Sequence, residues 1–240
     1  MVLLKIFIII LHIFILTNSY ELICKATKKE RYLFIFGVFI AQFTVETLLY
    51  FIFLDGFGIE KISFTFMVFA YLMGLKKYDK YKAIFISLLL SLLYNSTHTF
   101  LSVTISSVTG DSFVTKYEDL FFVVVLLLTY FVIKKIIFYF HLELNYFDKD
   151  YLYSFFKKVI FAFFALQILL FISDIVSTYV HFNGFGSILA TIVFICLLLI
   201  FFAMNVKKVQ VEREIALNQK KFEQEHLQTY TDEIVALYNE

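Results

Sequence analysis

Seven apolar runs recur along the 240-residue chain, at 6–23, 32–53, 59–75, 83–100, 120–138, 159–176 and 187–204, and they constrain everything it can fold into. A helix needs about 20 apolar residues to cross roughly 30 Å of hydrocarbon. Runs of that kind cannot all be hidden inside a water-soluble fold of this size. Composition agrees, with 61% hydrophobic and 17% charged residues, against about 25% charged in an ordinary globular chain. In lipid the backbone must satisfy its own hydrogen bonds, so each run is expected to be helical. The expected fold is all-α: residues 1–204 form a polytopic membrane domain of about seven transmembrane helices. The first run has no small-residue cleavage site behind it and reads as an uncleaved span.

The basic residues orient this bundle. Of the 21 Lys and Arg, 18 follow the first, third, fifth and seventh runs, at 25–31, 76–82, 134–158 and 207–221. The alternate side holds only Lys5, Lys61 and Lys116. The rich side is expected to be cytoplasmic, which places the N-terminus outside and the C-terminus inside a multi-pass plasma-membrane protein. A net charge of +1 supplies no field for nucleic acid.

From residue 205 the chain turns polar, charged and free of Gly and Pro. Residues 205–240 are expected to continue the seventh span as a cytosolic signalling helix. Leu227, Tyr230, Ile234 and Leu237 alternate spacings of three and four, an a/d seam that implies a homodimer and the start of a dimeric coiled coil. Two heptads are too few to associate stably alone, so the seam needs further sequence or a partner.

Catalytic signatures are missing. There is no glycine-rich phosphate loop, no H-E-x-x-H and no G-x-S-x-G. Cys24 and Cys196 lie far apart at or within apolar runs, and no metal site is expected. His226 lacks the flanking charges of a phosphoacceptor and reads as a solvated helix residue. Ionisable and amide groups within spans carry more information, because they are costly there. Glu46 lies in the second run, and Asn95 and His98 lie toward the outer end of the fourth. Two accounts compete for them: interhelical hydrogen bonds that fix packing, or the floor of an outward-facing ligand cavity. Gly37/Ala41 and Ser87/Ser91 are small-residue pairs suited to close helix contact.

The expected outer loops, 55–61, 109–119 and 175–185, hold Asp55, Glu60, Glu118 and Asp119 among their acids, and are net acidic. Such a face favours the approach of a cationic ligand. Phe57 and Phe185 sit in the Gly-bearing loops 55–58 and 183–186, beside flexible backbone that suits contact with an apolar peptide face.

Three irregular stretches carry a resemblance: SLLLSLLYNSTHTFLSVTISSVTGDSFV at 87–114, YFHLELNYFDKDYLY at 139–153 and ALNQKKFEQEHLQTYTDEIVALYNE at 216–240. With them the chain resembles, along nearly its whole length, the sensor region of the streptococcal competence-stimulating-peptide receptor histidine kinases (the competence protein D group). That quorum-sensing group also includes the staphylococcal autoinducing-peptide receptors. The resemblance implies a sensor that detects a secreted cationic peptide pheromone at its outer face and passes the signal through the C-terminal helix. In the family, the stretch matching 216–240 leads into a segment bearing the phosphoacceptor His and then an ATP-binding domain. Residues 1–240 contain neither, so this chain alone is expected to be inactive as a kinase and to bind no cofactor. ATP and a response regulator become partners only through the family's kinase part.

Rival readings are a small-solute transporter or channel, an intramembrane enzyme using Cys24, and a kinase-less decoy receptor. The absence of Pro and of an internal repeat fits poorly with transporter folds built from broken helices. The topology is directly testable. In a background carrying Cys24→Ser and Cys196→Ser, Gly56→Cys and Lys116→Cys should react with an impermeant maleimide in intact cells, whereas Lys28→Cys and Tyr78→Cys should not. Labelling at the latter two positions would overturn the seven-span topology.

Overall fold

The computed structural model describes residues 2–40, 59–110, 114, 116–140, 142, 153–179 and 183–239. Every regular element among them is helical: α1 (Val2–Cys24), α2 (Lys28–Phe34) with a π turn at Ile35–Phe39, α3 (Ile59–Gly74), α4 (Lys80–Thr109), α5 (Glu118–Phe140), α6 (Tyr153–Tyr179) and α7 (Asn183–Asn239). Among the described residues, α4, α5 and the part of α7 from Ile188 onward are long and apolar enough to cross a membrane. The apolar stretches in α1 and α3, Ile10–Cys24 and Phe64–Gly74, are shorter. The chain divides into two compact units, Met1–Ile200 and Phe201–Glu240.

Within the first unit α4 is the hub. It packs against α1, α3, α5 and α6. Ala83 and every residue from Phe85 to Thr97 are buried, so no face of that stretch is left to solvent or lipid. A helix apolar all round belongs inside a bundle. Ala83, Ser87, Ser91 and Asn95 recur at every fourth position and are all buried, a stripe of small and polar groups that lets neighbouring backbones come close. The outer helices reverse the pattern of a soluble protein, with Phe131, Phe138, Phe161 and Leu199 all at least 60% exposed. A surface of that kind is suited to lipid.

Capping explains where the helices start and stop. Asp79 accepts from the Tyr81 N–H at 3.0 Å and opens α4. The expected span ended at residue 100, yet α4 runs nine residues further, to Thr109. Thr104, Ser107 and Thr109 each donate a hydroxyl to the carbonyl four residues earlier, which satisfies them inside the helix. Gly110, at φ 82°, then ends it and donates its N–H to the Ser106 carbonyl. A second difference lies at 183–186. The expected Gly-bearing loop there is the first turn of α7. The first N–H groups of a helix have no intrahelical partner, and a Gly penalty of about 1 kcal/mol each is outweighed by the long helix that follows. Residues 175–179, also expected in that loop, belong to α6.

At the lysine-rich end, α1, α2 and α3 are fastened together. Thr27 and Glu30 form a reciprocal capping box at the start of α2. Glu30 also pairs with Lys76 beyond α3, and Arg31 pairs with Glu21 of α1 at 2.8 Å. The Lys76 ammonium and the Thr27 backbone N–H hold the Glu30 carboxyl below the usual carboxylate range. Beneath these pairs, Tyr20 stacks on Phe34 at 4.1 Å and Tyr71 meets Phe34 edge-on at 5.4 Å. Gly37 lies against this cluster, and a Cβ there would stand 3.0 Å from Tyr71 Cδ2. Gly37→Leu should therefore lower stability by about 1–3 kcal/mol through overpacking, read as a reduced thermal midpoint in detergent. Gly37→Ala, whose single methyl asks the Tyr71 ring for only a few tenths of an ångström, should cost less.

Candidate functional site

Polar groups inside the first unit are mostly satisfied locally. Thr17 and Ser19 of α1 donate to the carbonyls of Ile13 and Ile15, and Ser96 and Thr129 do the same within α4 and α5. Such i−4 bonds are how a hydroxyl survives in a low-dielectric bundle. Other contacts reach between helices, and the Tyr71 hydroxyl of α3 donates to the Glu30 carbonyl of α2 at 3.2 Å. The Tyr94 hydroxyl of α4 and Nδ1 of His12 in α1 are joined at 2.9 Å. The two rings lie 4.6 Å apart, and His98, one turn along α4, stacks on Tyr94 at 5.8 Å and 21°. His12, Tyr94 and His98 thus form a continuous polar column between α1 and α4.

The candidate residues read from the sequence separate into groups. His98 belongs to this column. Asn95 is buried beside it but donates its amide to Ser91 Oγ at 3.1 Å, within its own helix. That bond supports the packing account of Asn95 more than the cavity account. Glu118 and Asp119 occupy the first turn of α5, where acidic groups complement the helix dipole. Glu60 and Phe185 lie in the first turns of α3 and α7, with only their backbone described. Glu46, Asp55 and Phe57 lie outside the described residues. In the second unit, Leu227, Tyr230, Ile234 and Leu237 are all exposed along one helix.

The sequence reading passed over Tyr94, Gln167 and Thr97. His12 and Tyr94 gain their significance only from each other, although an ionisable residue in an apolar run is a signal in itself. Gln167, in the middle of α6, is 6% exposed. Among the described residues, neither of its amide atoms, nor the hydroxyl of buried Thr97, finds a hydrogen-bond partner. Leaving such groups unpaired costs about 1–3 kcal/mol each. They mark where a polar ligand or a rearrangement of the helices would gain most.

Among the described residues, no group of three or more His, Cys, Asp or Glu is placed to hold a metal ion. Comparison of the chain with protein-family models, curated proteins and solved structures returns no match.

The column makes a measurable claim about coupling. Tyr94→Phe removes the hydroxyl and leaves His12 Nδ1 without its partner, which should cost about 1–3 kcal/mol in detergent unfolding. His12→Phe combined with Tyr94→Phe should cost less than the two single changes added together, because both partners are then apolar. Strict additivity would show that the contact carries no coupling energy.

Proposed function

We infer that residues 1–240 are the membrane sensor region of a peptide-responsive, two-component histidine kinase. Seven spans anchor it in the plasma membrane with the N-terminus outside and the C-terminal helix in the cytosol. A secreted cationic, amphipathic peptide binds at the acidic outer face, and a homodimer passes the signal to a kinase part that uses ATP and a response regulator. The observation that carries this reading is α7. An apolar stretch beginning at Ile188 passes without a helix break into the charged segment that bears Lys207, Lys208 and Arg213. That segment then presents the exposed seam of Leu227, Tyr230, Ile234 and Leu237. An unbroken helix can carry a rotation or shift from one end to the other. A peptide moves it only through different affinities for two receptor states. The contacts among His12, Tyr94 and His98 are of the kind that differ between two helix packings.

The same column gives the small-solute transporter its best footing, because ionisable groups set between apolar helices also mark ion pathways. Flux in sealed vesicles separates the two readings.

For the receptor, tails carrying Tyr230→Cys should cross-link in membranes, and the yield should change when a cationic amphipathic peptide is added outside. Adding Leu227→Asp and Ile234→Asp should abolish the cross-link. A yield that no such peptide alters, together with solute flux, would replace the receptor with the transporter.

A further inference from the structure

Length decides where α4 ends. Its 30 residues reach about 45 Å at about 1.5 Å per residue, against roughly 30 Å of hydrocarbon. The helix begins at the lysine-rich end, so the surplus emerges at the opposite one. α1 runs the other way, because its last turns bring Glu21 to Arg31 at that same lysine-rich end. Outward from the contact between His12 and Tyr94, α1 stops at Val2 and α4 continues to Thr109. α4 therefore outlasts its neighbour by about five residues, or about 7 Å.

The side of α4 that overhangs is apolar. Leu101, Ile105 and Val108 follow Tyr94 at spacings of seven, four and three, which keeps them on the side that meets α1. Leu101 and Ile105 are half-buried, and Val108, past the start of α1, is 83% exposed. Outside the hydrocarbon no acyl chain covers such a stripe. At about 100° per residue, Thr104 and Thr109 flank it, one on each side. Their hydroxyls and that of Ser107 donate to the carbonyls of Phe100, Ile105 and Val103. A hydroxyl has one proton to give. With it committed to the helix, each oxygen turns only lone pairs outward, so this surface receives N–H donors and offers a carboxylate nothing.

α5 adds charge of the matching sign. The connection from Thr109 to Glu118 is too short to run back along α4, so α5 begins beside its end and packs against it. Glu118 and Asp119 stand in the first turn of α5, the former exposed and the latter half-buried. Lys116, the one base between Gly110 and Asp119, has its ammonium 5.3 Å from the centre of the Tyr117 ring.

We propose that the outer end of α4 is the docking site for a cationic amphipathic peptide. The apolar face of the peptide lies along Leu101, Ile105 and Val108. Its Lys or Arg side chains donate to the hydroxyl oxygens of Thr104 and Thr109 and are drawn by Glu118 and Asp119. The site rests on the peptide-receptor reading and assigns that ligand to a particular helix.

The test uses the 240-residue chain in phosphatidylcholine nanodiscs, with empty discs as the blank. Two amphipathic helical peptides serve as probes, one built of Leu and Lys, the other of Leu and Glu in the same pattern. The Leu/Lys peptide should bind at least about tenfold more tightly than the Leu/Glu peptide. Ile105→Gln with Val108→Gln should weaken it about tenfold, which is about 1.4 kcal/mol. Thr104→Val, Ser107→Ala and Thr109→Val together should weaken it about fivefold and leave the thermal midpoint in place, since all three positions are exposed. Tyr32→Gln, at the lysine-rich end, should change nothing. Binding of the Leu/Lys peptide that neither set of substitutions weakens would overturn the site and leave the receptor reading to another outer surface. Equal affinity for the two peptides would overturn the acceptor surface and the site with it. If the parent chain binds neither peptide, the site and the receptor reading fall together.

Discussion

Close packing around α4 is the constraint on which the first unit depends. Lipid tails are as apolar as leucine, so helices in a bilayer gain little by hiding apolar surface from one another. Their association rests on van der Waals fit and on hydrogen bonds between them. The stretch from Ala83 to Thr97 meets that requirement by placing small and polar groups every fourth residue and leaving no exposed face. Each neighbour uses a different part of α4. α1 brings His12 to Tyr94. α6 brings Phe163 to Phe85. α7 stacks Phe194 on Phe100 at 4.5 Å. A change in how α4 is gripped would therefore be felt by several helices together, because packed interiors rearrange between discrete states more readily than they deform.

Polar chemistry is sorted by depth. In the interior, Thr17, Ser19, Ser96 and Thr129 bond to their own helices, and Tyr94 meets His12 across helices. At the lysine-rich end, acids and bases are paired where structure needs fastening, as in Glu30 with Lys76 and Arg31 with Glu21. The Lys80 and Lys157 ammonium groups lie 5.2 and 5.4 Å from the centre of the Tyr81 ring. Lys25 and Lys77 adopt positive φ at the ends of α1 and α3, a role more often filled by Gly. A basic side chain at a helix C-terminus offsets the strain in part by complementing the helix dipole.

Much of the helix inventory was legible in the residues. Runs of bilayer length in a chain without Pro leave the backbone little choice but helix, and the abrupt change in composition near residue 205 announces a helix of a different kind. The ends were less legible. The extension of α4 to Thr109 depends on hydroxyls folding back onto carbonyls, and polar composition alone reads equally well as loop. The turn at 183–186 misled for the converse reason. Gly and Asn suggest a loop, but at a helix start their cost is small and the residues after them decide.

The site divides along the same line. Sequence alone determined that His98 and Asn95 are polar groups placed in an apolar run, that Leu227, Tyr230, Ile234 and Leu237 share a helical face, and that basic residues collect after alternate apolar runs. These follow from chain order and from periodicities of 3.5–3.6 residues, which need no tertiary information. Tertiary structure decided that His98 stands in line with Tyr94 and His12 while Asn95 turns back to Ser91, and that Lys157 reaches the same ring as Lys80 across 76 intervening positions. Which helix lies beside which depends on the fit of whole faces. Pairwise chemistry between distant residues therefore exists only once the bundle has closed around α4.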